Sequence, residues 1–309
     1  MDRAVVIANP AASQFTGGAH RDVMAILNRH FDVSAIWPKS GTDATKESRK
    51  WAAKGVPLIV AMGGDGMVHH VAQGLIDSES SLGIIPVGTT NVIGRVFDIP
   101  KSPAKSAKLL TQSREPALVG TLEMALVRGA VESRHFAIFA CGLGLDADVI
   151  IAADKEPYRK YRFGSIHYAR SAIGVAMGSF PKKRPHITVA SADREALVSA
   201  VAFQFRDVYT YFGRLPIRLG SEAPDPVTAL LVDRLKRRRV PMITGKILAG
   251  ADLSKLEEAE VWTGIDLVRA TADPPIAAQA DGESLGMVDA ATFTWHPDSL
   301  RVRGGHSPH

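Results

Sequence analysis

"VAMGGDGMVHHVAQGL", residues 60–75, sets glycines 63, 64 and 66 and one carboxylate, Asp65, between an apolar run and a run with helical spacing. A short apolar run bounded by glycine reads as a buried strand, and the segment after Gly66 reads as a helix. The glycines therefore occupy a strand-to-helix turn. In an open parallel sheet, ligands bind beyond the carboxyl ends of the strands. Backbone N–H groups without side chains approach an anion closely at such a turn, and the helix N-terminus that follows favours negative charge. The stretch reads as a phosphate cradle. The plainer reading is a tight turn in which Asp65 caps the helix.

The flanking sequence supports the cradle. "AVVIANP" is a short strand ending at a proline turn, "HRDVMAILNRHF" has helical periodicity and "DVSAIWP" is a second strand. "TDATKESRKWAAKG" opens on an Asp or Thr cap and ends at Gly55; "SLGIIPVGTTN" is a strand running into a polar loop; "SPAKSAKLLTQS" is another helix. This alternation over residues 1–120 predicts a parallel sheet with crossover helices. The turns "NPAAS" (9–13), "GGDG" (63–66) and "GTTN" (88–91) then share one rim. Polar loops at the ends of three strands make phosphate or nucleotide binding the better reading of all three.

Past residue 120 the texture changes to short β-rich segments such as "ESRHFAIFACG", "LVSAVAFQF" and "ATFTWHP", broken by Gly, Pro and Asp. A second, β-rich domain is expected over 121–300, with 301–309 as a tail in which "GGHSPH" has no structural pattern. "GSIHYARSAIGVAM" and part of "PVTALLVDRLKRRRVPMITGKILAG" look helical.

Composition sets the bounds. A chain of 309 residues with 46% hydrophobic and 22% charged residues has the balance of a folded protein of about two domains. No apolar run reaches the ~18 to 20 residues of a membrane span, and the apolar run near the N-terminus is too short for a secretory signal. A single cysteine, Cys141, excludes an intramolecular disulfide and fits a reducing cytoplasm. The net charge of +5 and pI of 9.3 favour an anionic partner. Its basic runs lie in the second half, at 158–170, 180–186 and 233–239. A nucleic-acid partner is not expected, because no reading helix, zinc module or stacking motif accompanies the charge.

Familiar catalytic motifs are absent. No G-x-x-x-x-G-K-[ST], H-E-x-x-H or G-x-S-x-G occurs. "GLGLDA" (142–147) has dinucleotide-binding spacing but lacks the acid expected about 20 residues on. His69 and His70 are neighbours that point about 100° apart on a helix, so a structural or solvent-facing role suits them better than a shared metal.

The combined motifs "NP" (9–10), "GGDG" through Leu75, "LGIIPVGTTN" (82–91) and "DGE" (281–283) resemble the diacylglycerol, sphingosine and ceramide kinase family of lipid kinases. "CGLGLDADV" (141–149) and "RFGSIHYA" (162–169) add to the likeness, which runs in order along almost the whole chain. The resemblance implies a two-domain fold of the NAD kinase and diacylglycerol kinase type. An α/β domain with a parallel sheet would precede a β-rich, sandwich-like domain, with the active site in the cleft between them. It further implies transfer of the ATP γ-phosphate, with Mg2+, to the primary hydroxyl of a membrane lipid. Nucleotide contacts would fall on Asn9, Pro10, Gly63, Gly64, Asp65, Gly66, Gly88, Thr89, Asn91 and Glu283. Asp65 and Asp281 are both candidates for the general base, since branches of the family differ, and Glu283 would orient the nucleotide directly or through magnesium. No metal ligand set is assigned. By itself "DGE" is a β-turn sequence.

Departures from the commonest bacterial pattern are Met67 in place of Thr, His70 in place of Glu and Val92 in place of Asp. In bacterial diacylglycerol kinases the last of these carboxylates serves a structural magnesium network, which is not expected here. Met67 and Val92 tilt the expected acceptor towards ceramide or another sphingolipid over diacylglycerol. A soluble NAD-kinase-like enzyme and a non-catalytic nucleotide or lipid binder are the alternatives. A lipid acceptor would put a cytoplasmic protein on the inner membrane face, with Lys182, Lys183, Arg184 and the run Lys236, Arg237, Arg238 and Arg239 drawn to anionic lipid. The sequence leaves the oligomeric state open.

Overall fold

The structure, a computed structural model, describes residues 1–113, 115–154, 186–213, 215–220, 226–234, 236–248 and 253–305. It falls into two units, one of Met1–Thr121 with His296–His309 and one of Leu122–Trp295.

In the first unit, β1 (Asp2–Ala8), α1 (Gly17–Leu27), β2 (Phe31–Ile36), α2 (Gly41–Ala53), β3 (Leu58–Gly63), α3 (Asp65–Gln73), β4 (Ser81–Pro86), α4 (Val92–Val96) and α5 (Pro103–Gln112) follow in order. The strands pair in parallel as β4, β3, β1, β2. β3 and β4 are buried at every position, as expected of central parallel strands covered by helices. Ala4, Val6, Leu58, Val60 and Met62 meet Leu27 of α1 and Leu110 of α5 in one core.

Capping differs in detail from expectation. α2 is capped by Ser40, whose hydroxyl accepts from Asp43 N, while Asp43 Oδ2 accepts from Lys39 N at 2.8 Å. The expected Asp therefore sits in the first turn, where its charge complements the helix dipole. α3 packs closely on α2, because a Cβ on Gly74 would lie 2.0 Å from Ser48 Oγ and one on Gly41 would lie 2.1 Å from His70 Nε2. His69 is 1% exposed and Thr45 donates to the His70 carbonyl at 2.8 Å, so this pair packs helices together.

The end of the chain corrects the expected division. The second domain is expected to reach residue 300 and a tail to span 301–309, but the first unit takes in the chain from His296, and Arg301 and Val302 pair in parallel with Ser81 and Leu82. Ser299 Oγ lies 2.8 Å from Thr121 Oγ1, and Arg303 Nε donates to the Leu110 carbonyl at 2.9 Å. The bare edge of β4 explains the return, since its unpaired backbone groups need a partner strand.

β5 (Ala117–Arg128) leads into the second unit, followed by β6 (Val131–Ala137), β7 (Ala140–Leu143) and α6 (Leu145–Asp154). Then come β8 (Ile187–Ser191), β9 (Arg194–Val198), β10 (Ala200–Gln204), β11 (Thr210–Phe212), β12 (Leu215–Ile217), β13 (Thr228–Val232) and β14 (Ala259–Trp262). The long strands β15 (Leu267–Ala280) and β16 (Glu283–Val302) close the series. The main path runs β14, β13, β10, β7, β15, β16, with β8 and β9 branching from β15. The unit is thus β-rich and largely antiparallel, as expected. β15 serves three partners: β8 at Arg269–Ala272, β7 at Ala278–Ala280 and β16 along its length. Its register shifts between Thr271 and Ile276, where Pro274 and Pro275 have no N–H to give the ladder. Phe203, Phe293 and Trp262 anchor the core, the two phenylalanine rings 4.2 Å apart. A helix over Val240–Leu248 matches the second helical stretch, whereas "RFGSIHYA" and the whole of the first lie outside the described residues.

Candidate functional site

In the first unit β1, β3 and β4 run in one direction, so the loops after them meet at one rim. Main-chain bonds lock them together. Asn9 N donates to Met62 O, Val87 N to Gly63 O and Gln14 N to Val87 O, each at 2.9 Å. Ser13 Oγ and Thr89 Oγ1 add a bond of 2.8 Å. Asn9, Pro10, Gly63, Gly64, Asp65, Gly66, Gly88, Thr89 and Asn91 therefore gather on this rim.

Close approach explains the glycines. A Cβ on Gly88 would lie 2.5 Å from Gly64 Cα, and one on Gly63 would lie 2.4 Å from Met67 Cβ. Asn91 holds the left-handed conformation at φ 49° and closes its own turn, accepting from Gly88 N at 2.9 Å and donating to Gly88 O at 2.7 Å. Asn9 Oδ1 accepts from Ala11 N at 2.9 Å, an Asx turn that leaves the amide nitrogen to donate elsewhere. α3 opens at Gly64 with no side-chain cap. Its first N–H groups, the Asn9 amide and the Thr89 hydroxyl form a donor set suited to phosphate oxygens.

Asp65 is the rim's only carboxylate within 9–14, 63–66 and 88–91. Its Oδ1 accepts from Ile93 N at 2.8 Å and so caps α4, a helix the sequence reading did not foresee. Val92 is 8% exposed, a costly place for the unpaired carboxylate of the bacterial pattern. Among the described residues no group of three or more His, Cys, Asp or Glu side chains is arranged to hold a metal ion.

Asp281 and Glu283 belong to the second unit. Asp281 and Gly282 form a two-residue hairpin turn, with φ of 52° and 83°, between Ala280 and Glu283. This is the expected Asp-Gly turn, but the Asp281 side chain does more. It is 2% exposed, and Oδ1 accepts from Ile138 N at 2.9 Å, Phe139 N at 2.9 Å and Ala140 N at 3.3 Å. Oδ2 accepts from Ile138 N, also at 2.9 Å. Gln279 Oε1 takes Gly282 N at 3.0 Å and steadies the turn. Glu283 opens β16, partly buried.

Sequence reasoning missed Arg206. It is 4% exposed, donates from Nε to Ile138 O at 3.2 Å, and burial lowers its guanidinium to about 10 although Asp281 and Asp207 oppose the fall. Its one signal was a lone cation in the apolar run "VAFQFRDV".

Residues 3–122 match the diacylglycerol kinase catalytic domain. The match covers less than half of the chain. A diacylglycerol kinase of Bacillus subtilis (strain 168) is 34% identical over 107 residues, 33% of this chain and 35% of the relative. One from Staphylococcus carnosus (strain TM300) is 25% identical over 144 residues, 45% of this chain and 44% of the relative. The aligned part thus spans less than half the length of these curated relatives. The solved structure of a diacylglycerol kinase from Bacillus anthracis str. Sterne aligns over 100% of this chain and 98% of its own with a TM-score of 0.69 at 17% identity. That likeness extends the shared fold beyond the catalytic-domain segment. The interlocked glycine rim lies wholly within the matched segment.

Proposed function

We propose that this protein is a lipid kinase that transfers the γ-phosphate of ATP to the primary hydroxyl of a membrane lipid. The observation that carries the reading is the interlocked rim after β1, β3 and β4, closed by glycines at close approach and set in the segment that matches the diacylglycerol kinase catalytic domain. Phosphoryl transfer depends mostly on positioning and charge stabilisation. The α3 N–H groups, the Asn9 amide and the Thr89 hydroxyl hold the phosphates, while Asp65 aligns α4 with the rim. Magnesium would arrive with the nucleotide, where it neutralises phosphate charge. Asp281 takes the proton of the acceptor hydroxyl, and Glu283 orients the nucleotide. Met67 and Val92 favour a sphingolipid acceptor such as ceramide, with diacylglycerol as the competing lipid. Labelled ATP offered with ceramide, sphingoid base, diacylglycerol and, as a soluble control, NAD tests this directly. Labelled lipid is expected; labelled NAD alone, or no product with ATP still bound, would overturn the reading.

Membrane contact is part of the proposal. No helix among the described residues is long and apolar enough to cross a bilayer, so the enzyme would meet its lipid from the surface. Lys182, Lys183 and Arg184 lie outside the described residues. In the other run, Lys236 and Arg238 are exposed, but Arg239 is bonded to Glu257 and lies 2.8 Å from Glu258, which removes it from the attractive patch. At ~1 kcal/mol per basic residue, Lys236→Gln with Arg238→Gln should weaken binding to anionic vesicles roughly 30-fold at low salt. The difference should shrink as salt screens it. Equal sedimentation of variant and parent would remove this patch from membrane contact.

A further inference from the structure

We infer that Arg206 is a positioning residue for Asp281: it clamps the Ile138–Ala140 segment and balances the carboxylate that the segment holds. The inference rests on the reading of Asp281 as base. A guanidinium that is 4% exposed has given up most of its hydration. The compensation is visible around it.

Asp281 grips Ile138–Ala140 from the amide side through three N–H groups, and Arg206 Nε grips the same segment from the carbonyl side at Ile138 O. Two opposite charges thus hold one stretch of main chain. Asp281 N also donates to Ala140 O at 2.8 Å, so the hairpin turn and the segment are joined through backbone as well. Arg206 is itself fixed, for its carbonyl accepts from Gln204 Nε2 at 2.8 Å while Gln204 Oε1 accepts from Leu219 N at 2.7 Å. The acidic groups acting on the guanidinium are Asp281, from the β15–β16 turn, and Asp207, beside it in sequence. Tyr209, 3.5 Å from Gln279 Nε2, and Glu283 are further titratable groups at this hairpin end. A fixed carboxylate presents its oxygen to an acceptor at no further cost in side-chain freedom. Arg206 supplies the counter-charge and one wall of that fixture without meeting the acceptor.

Parent, Arg206→Gln, Asp281→Asn and the double variant should be compared by thermal unfolding and kinetics. Each single change should lower the midpoint, and the double should fall no further than the worse single, because residues of one network couple. Additive falls would overturn the inference. In the lipid assay Arg206→Gln should lower kcat about tenfold or more while nucleotide KM stays within about twofold, as expected when only the reacting step is affected. Arg206→Lys, which keeps the positive charge, should recover part of the loss. A folded Arg206→Gln with unchanged kcat would overturn the inference. If the parent phosphorylates no lipid, the functional reading fails, and the unfolding cycle still decides whether Arg206 and Asp281 act together.

Discussion

Gly88→Ala should abolish measurable nucleotide binding and lower the unfolding midpoint. The added Cβ would stand 2.5 Å from Gly64 Cα, 2.8 Å from Asn91 Oδ1 and 3.3 Å from Gly64 N. Two of these atoms belong to main chain, and the third is tied to the Gly88 turn through both ends of its amide. No flexible side chain can swing away, so the loops after β3 and β4 must separate. Overpacking of this kind costs about 1–3 kcal/mol, a drop of a few degrees for a domain of this size. The functional loss should be larger, because the α3 N–H groups and the Thr89 hydroxyl act on one ligand only while the loops stay locked. Gly64→Ala is the control for stability: its Cβ would meet Gly88 Cα at 3.4 Å, an ordinary contact. Calorimetric titration with an ATP analogue beside thermal unfolding reads both effects. Nucleotide binding by Gly88→Ala at parental affinity would show that the close approach of Gly64 and Gly88 is not needed to hold phosphate.

The rim was legible because it rests on local signals. Apolar runs ending in glycine mark β3 and β4, and alternation with helical periodicity orders the parallel sheet. What stayed hidden depends on partners distant in sequence. α4 has no capping side chain of its own; its N–H is satisfied by Asp65, 28 positions earlier. The bonds that Gln14 and Ser13 make to Val87 and Thr89 arise only once the sheet has placed β1 and β4 on one side. "DGE" was readable as a turn from its Asp-Gly pair, yet the groups that Asp281 binds lie 141 to 143 positions upstream. The final strand shows the same limit. An apolar alternation marks it as β, but nothing local says that Arg301 and Val302 lie along Ser81 and Leu82.

Asp281→Asn is expected to lose about 10²–10⁴-fold in kcat, the range for a positioned general base, with nucleotide binding retained. Asparagine tolerates the left-handed conformation that Asp281 holds at φ 52°, so the two-residue turn should survive. Its single carbonyl oxygen can still accept from the Ile138–Ala140 amides, whereas the amide that replaces Oδ2 cannot accept a proton. The variant also leaves Arg206 buried opposite a neutral group, so some loss of stability should accompany the loss of turnover. Asp65→Asn makes the decisive comparison. There the new carbonyl can keep the bond from Ile93 N that caps α4, and if Asp65 only aligns the rim, turnover should fall by less than about tenfold, in keeping with a retained cap. Single-turnover transfer to lipid, measured for both variants at saturating ATP, separates the two carboxylates. A far larger loss in Asp65→Asn than in Asp281→Asn would move the proton transfer to the glycine rim and leave Asp281 as the anchor of its hairpin. The reverse ranking places it on the turn that Arg206 and the Ile138–Ala140 segment hold in place.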